Sequence, residues 1–153
     1  MFIIKIAKAF SAAKIPYAIV GGYAVALHGA VRGTIDLDCI TILSLTNFQK
    51  IERALNELGF QSKLPVSATE VFKVREEYIQ NRNLIAWSFY NSKKPAEIVD
   101  IIITEDLKGL KTITKRIQGE QIKILAIKDL IAMKKKSNRA QDKIDIKALE
   151  TLE

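Results

Sequence analysis

The sequence predicts a single α/β domain, a β-sheet flanked by helices and closed by two C-terminal helices, and three observations carry that prediction. Short apolar or alternating runs at residues 17–20, 35–42, 83–90 and 97–103 have the period-2 or continuous patterns of strands. Segments with apolar residues at helical spacing lie between and after them. Finally, 153 residues with 48% apolar and 27% charged composition can bury a core of ordinary globular size. No apolar run approaches bilayer length, so no membrane partner is expected.

Residues 1–15 read as an amphipathic helix with Phe2, Ile3, Ile6 and Phe10 inward, because Lys5 and Lys8 interrupt any signal-peptide core. Pro16 ends it. The strand Tyr17–Val20 then meets Gly21-Gly22 and a helical run at 23–28. A strand entering a helix through paired glycines leaves backbone N–H groups free and lets an anion approach the main chain. Taken alone, it is also a plain turn.

In the next strand, 35–42, alternation puts Ile35, Leu37 and Cys39 on one face and Asp36 and Asp38 on the other. Cys39 therefore reads as a core residue, and a lone cysteine makes no internal disulfide, which points to the cytoplasm. Thr46 is the expected N-cap of a helix running to Leu58, with Gly59 as its stop. Ser67 and Glu70 have the spacing of a capping box for a helix continuing through Val71, Val74 and Tyr78. In the 83–90 strand, Ile85, Trp87 and Phe89 alternate, and Trp87 is expected in the core.

The run at 97–103 reads as a strand buried on both sides, where a lone carboxylate, Asp100, needs a partner. A structural ion pair and a functional role are both open to it. Residues 111–117 and 121–125 read as a hairpin turning at 118–120. Two helices follow, at 127–136 and 141–152, the second with Ile144, Ala148 and Leu152 inward. Lys134, Lys135 and Lys136 form a charge run. Asp142 reads equally as a cap of the last helix, and Asp145 as an ion-pair partner of Arg139, or as chemical groups.

Gly21-Gly22-Tyr23-Ala24, His28-Gly29, Arg32, Thr34, Asp36 and Asp38 together resemble the nucleotidyltransferase superfamily, of DNA polymerase β-like fold. The pattern looks like that of its small bacterial branch, which contains AbiEii-type toxins and minimal nucleotidyltransferases. The resemblance implies a mixed sheet, with Asp36, Asp38 and Asp100 as catalytic and metal-binding carboxylates. It implies nucleotide contacts from Gly21, Gly22, Tyr23, Arg32, Thr34 and Lys134. Val99-Asp100-Ile101 matches the superfamily's third carboxylate, which turns the reading of Asp100 from structural to functional. Asp142 and Asp145 fall on the branch's Asp-x-x-Asp, whereas Gln141 stands where relatives carry a basic residue. Residues 60–90 match no motif, and full AbiEii-type toxins carry further C-terminal helices.

One histidine and one cysteine exclude the usual zinc ligand set, so any metal is held by oxygen. Mg²⁺ or Mn²⁺ suits such donors. The net charge of +7 suits polyanions, as nucleoside triphosphates or nucleic acid. The implied function is transfer of a nucleoside monophosphate to an acceptor hydroxyl of RNA, a protein or a small molecule. A cognate toxin or antitoxin is the implied protein partner. The alternative is a catalytically inactive, nucleotide-binding member of a toxin–antitoxin pair. A purely RNA-binding role fits less well, because interleaved aromatic stacking residues are missing.

Overall fold

A computed structural model describes the backbone of residues 1–153 and the side chains of all of them except Arg82. In chain order the elements are α1 (Phe2–Ala12), β1 (Tyr17–Val20), α2 (Gly21–Leu27), β2 (Leu37–Thr41), α3 (Leu45–Glu57), β3 (Phe60–Ser62) and α4 (Ala68–Lys73). There follow α5 (Arg75–Arg82), β4 (Ala86–Asn91), β5 (Ile98–Ile102), β6 (Thr112–Ile117), β7 (Glu120–Leu125), α6 (Ile127–Ser137) and α7 (Ala140–Glu150).

The strands form one mixed sheet in the order β3-β4-β5-β2-β1-β7-β6. The pairs β2/β5 and β1/β7 are parallel and the others antiparallel. One face is covered by α1 and α3. Phe48 of α3 stacks on Trp87 of β4 with ring centroids 5.6 Å apart, and Phe10 of α1 meets Tyr17 of β1 edge-on at 5.6 Å. All these rings are buried, each worth roughly 3–5 kcal/mol against truncation to alanine. On the opposite face, α2 on one side and the α6–α7 pair on the other leave a gap over β2 and β5.

Several boundaries differ from the sequence expectation. Helix α3 begins at Leu45, because the Ser44 hydroxyl, not that of Thr46, accepts the Asn47 amide. The Ser67–Glu70 capping box is present, but the helix it opens stops at Val74, whose φ of −107° and ψ of 14° turn the chain before α5. The short edge strand β3 lies in the stretch that carries no motif. Strand β2 starts two residues late, leaving Ile35 71% exposed rather than packed with Leu37 and Cys39.

Strand β5 is not buried on both sides. Val99 and Ile101 are buried while Asp100 and its neighbours Ile98 and Ile102 are only half-buried, because their face meets the gap instead of a helix layer. In α7 the buried face is Asp142, Asp145 and Leu149; Ile144 and Leu152 are exposed. That helix turns an acidic stripe inward because a buried lysine lies opposite. The β6–β7 hairpin closes through Gln118 and Gly119, both at positive φ as its two-residue turn requires. Among the described residues no helix is long and apolar enough to cross a membrane.

Candidate active site

Register builds the floor of the gap. Asp38 on β2 is directly opposite Asp100 on the parallel β5, and Asp100 is directly opposite Ser88 on β4. Facing residues on neighbouring strands share a face, so the three side chains form a row across the sheet. The Ser88 hydroxyl donates to Asp100 Oδ1 at 2.6 Å. On the other flank Val20 pairs with Asp38, and the chain turns into α2 at Gly21.

That turn explains both glycines. Gly21 has φ +64°, and a Cβ there would collide with Asp38 Oδ2. A Cβ on Gly22 would come within 2.7 Å of Thr34 Cβ and Oγ1 and 3.2 Å of Arg32 Cζ. The first glycine thus brings the main chain against a carboxylate, and the second admits the 30–36 loop. No side chain caps the N-terminus of α2, which leaves its first N–H groups uncovered beside Asp38.

A cleft of about 760 Å³ opens over this floor. It is lined by Gly21, Gly22, Arg32, Thr34, Asp36, Asp38, Asp100 and Lys134 of the residues expected from sequence, together with Arg139, Ile35 and Ile85. Tyr23 is not in this lining. It packs half-buried against the core, and burial followed by the carboxylates of Glu97 and Asp36 raises its phenol above the ordinary range.

The acids are not neutralised. Burial first, then the like charges of Asp100 and Asp36 and a hydrogen bond with Asp100, push Asp38 up to about 7, with Arg139 pulling weakly the other way. Asp36 is also raised, by burial and by Asp100, against the opposing charge of Lys63. Among the described residues none of the three carboxylates is in an ion pair. No tight cluster of three protein donors is preformed either. That donor set still suits Mg²⁺ or Mn²⁺. Such ions take hard oxygens, and Mg²⁺ needs only one or two carboxylates when water and substrate phosphate complete its shell. Asp38 and Asp100 would hold it, with Asp36 at the rim.

The cations behave oppositely. Helices α6 and α7 are joined by Asn138 and Arg139, and the left-handed Asn138 (φ 51°) folds α7 back along α6. The last turn of α6 therefore faces the first turns of α7. Lys134, 5% exposed, reaches Asp145 Oδ2 at 2.8 Å and Asp142 Oδ1 at 3.5 Å. Arg32 Nε meets Asp145 Oδ1 at 3.1 Å, and Gln141 donates to that same oxygen at 2.9 Å.

Arg139 pairs with Asp142, not with Asp145 as spacing suggested. Its Nε and its backbone N–H both donate to Asp142 Oδ2 at 3.0 Å, so Asp142 caps α7 from inside the first turn. Burial raises both aspartates, but hydrogen bonds from Arg139 to Asp142 and from Lys134 and Gln141 to Asp145 outweigh it and hold them below the usual carboxylate range. Sequence reading missed Ser88 and took Arg139 only as an ion-pair partner of Asp145. Ser88 could have been found only by knowing the β4/β5 register.

No family model matches the chain, and no curated protein matches it. Solved structures do. It is similar to the antibiotic-resistance factor ANT(2'')-Ia (13% identity, TM-score 0.63, covering 99% of this chain and 80% of that one). It is also similar to the lincosamide antibiotic adenylyltransferase LnuA in its lincomycin-bound form (16%, 0.61, 95% and 92%). A third is an antigenic nucleotidyltransferase-like protein from Paracoccidioides brasiliensis (17%, 0.60, 98% and 72%). The sheet, its helices and these likenesses together show that the chain has the nucleotidyltransferase fold.

Proposed function

We propose that the protein is a metal-dependent nucleotidyltransferase that moves a nucleoside monophosphate from a nucleoside triphosphate to an acceptor hydroxyl and releases pyrophosphate. The observation that carries this reading is the un-neutralised pair Asp38–Asp100, set in register beside a two-glycine turn. Carboxylates kept close without cations cost stability and are characteristic of sites that bind charge. Bound Mg²⁺ or Mn²⁺ supplies neutralisation of the phosphate oxygens on the attacking and leaving sides.

The chain's own residues do the rest. Asp38 and Asp100 would hold the ion, with Asp100 bridging or acting as base towards the acceptor hydroxyl. The uncapped N–H groups at the start of α2 bind phosphate oxygens, which only glycine at positions 21 and 22 allows to come so near. Arg32, Lys134 and Arg139 offset the charge of the triphosphate, and Thr34 shapes the wall over Gly22. Incubation with each labelled triphosphate, Mg²⁺ and a cell lysate should give pyrophosphate and a labelled acceptor. No pyrophosphate with any triphosphate, or equal release by Asp38→Asn, would sink the reading.

RNA, a protein and a small molecule such as an antibiotic are the acceptor classes tested by that lysate. A toxin–antitoxin or phage-defence setting in the cytoplasm is the reading that the sequence resemblance to AbiEii-type proteins supports. One observation favours the inactive alternative, a nucleotide-binding partner module: Arg32, Lys134 and Arg139 are all already paired with Asp142 or Asp145. Triphosphate binding without turnover would select it.

A further inference from the structure

The row Ser88–Asp100–Asp38 assigns a role to a residue outside the carboxylate motif. Ser88 stands on the same face as Asp100, one strand further from Asp38, and its hydroxyl reaches no other acceptor among the described residues. Its side chain is not buried in the core, so packing does not require it. Asp100, by contrast, needs restraint. Two carboxylates facing each other on adjacent parallel strands repel, and rotation about the Asp100 side chain would swing its oxygens away from Asp38 and into the open cleft. A hydrogen bond of 2.6 Å to Oδ1, short as bonds to a charged oxygen are, opposes that rotation and occupies only one of the two carboxylate oxygens.

From this geometry we infer that Ser88 is a positioning residue, which holds Asp100 with one oxygen available to a divalent cation shared with Asp38. The inference rests on the proposed metal-dependent reading of the cleft. Groups that orient metal-ligating side chains change metal affinity or activity by about 10- to 100-fold when removed. The neighbouring cleft-face positions on β4 cannot substitute: Ala86 carries no donor, and the Tyr90 hydroxyl is already bonded to Gln61.

The test is Mn²⁺ binding, followed by electron paramagnetic resonance with a non-hydrolysable triphosphate analogue present, for the parent, Ser88→Ala, Ser88→Thr and Asp100→Asn. Ser88→Ala should keep its fold and its affinity for the analogue but bind Mn²⁺ about tenfold more weakly or worse. Ser88→Thr, which restores the hydroxyl on a residue suited to strands, should recover most of the loss. Turnover, where measured, should show a lower kcat at an unchanged KM. If Asp100→Asn abolishes Mn²⁺ binding while Ser88→Ala leaves it within twofold of the parent, the role of Ser88 is overturned and the metal site stands. Equal impairment of the Ala and Thr variants also overturns it, since the hydroxyl would then not be the active feature. If the parent binds no Mn²⁺, both the metal site and the role of Ser88 fall.

Discussion

Asp145 takes Lys134 on one carboxylate oxygen and Arg32 on the other, joining the last helix both to α6 and to the loop over Gly22. A buried charge stripped of its main partner is costly. Asp145→Ala should therefore destabilise the protein by about 3–5 kcal/mol in denaturant unfolding, whereas Lys135→Ala and Lys136→Ala should stay within about 0.5 kcal/mol. Both of the latter lysines are exposed. In nucleotide titrations Lys134→Ala should weaken triphosphate binding far more than either neighbour. Equal losses at all three would mean a diffuse basic surface instead of a clamp.

The glycines give a graded series. Gly21→Ala must take a left-handed backbone, at roughly 1–2 kcal/mol, and displace the Asp38 carboxylate as well. Gly22→Val pushes a branched side chain into Thr34 and should abolish triphosphate binding. Gly33, where a Cβ meets nothing within 4 Å, supplies the control: Gly33→Ala should bind nucleotide like the parent. Isothermal titration across the three variants measures the order, and a Gly22→Val protein that binds normally would remove the phosphate cradle.

Asp38 sets a pH dependence whose sign can be worked out. Its carboxyl is raised to about 7 from an ordinary 3.8, so between those values the folded state holds a proton that the unfolded state has lost. The stability this contributes is fully present below about 3.8 and is lost as pH rises through about 7, at about 1.4 kcal/mol per pH unit and up to roughly 4 kcal/mol in all. Asp38→Asn has no such loss. In EDTA its melting temperature should exceed the parent's at pH 8, and the margin should shrink at pH 5. Mg²⁺ with a triphosphate should then rescue the parent, by ~2.7 kcal/mol at a hundredfold excess over Kd, and barely move the variant. A margin independent of pH would mean that Asp38 carries no displaced proton.

Cys39 is buried on the core face of β2, and burial pushes its thiol well above the ordinary range. A neutral, enclosed thiol is a poor nucleophile. Labelling by a thiol reagent under native conditions should proceed only at the rate of unfolding. Fast labelling of the native protein would show that β2 opens locally.

The order and type of most elements were legible because their signals are local: the alternation around Leu37 and Cys39, the Ser67–Glu70 box, the turn at Gln118 and Gly119. The site was legible where a motif is continuous in sequence, as from Gly21 to Asp38. What escaped depends on which side of an element another element covers. Ile35 and Ile144 look inward by periodicity but face solvent, while Asp142 and Asp145 look like surface charges but are buried against Lys134. The apolar run at 97–103 suggested two covered faces, yet one is the cleft. Ser88 acts through a partner on another strand that no spacing within the chain marks, and Arg139 pairs locally with Asp142 instead of with the Asp145 that spacing suggested.

The junction made by Asp145 also has a consequence in time. Arg32 and Asp145 are 113 positions apart. At a synthesis rate of roughly 5–20 residues per second, Arg32 waits about 6–23 s on the ribosome for its partner. Asp38 waits likewise for Asp100, so the strand carrying the first acids is made long before the strand that completes the pair. During translation the nascent chain has its glycine turn and one half of its acidic pair but no floor to the cleft. The cleft is therefore complete only after the α6–α7 pair has been made and has closed over the sheet.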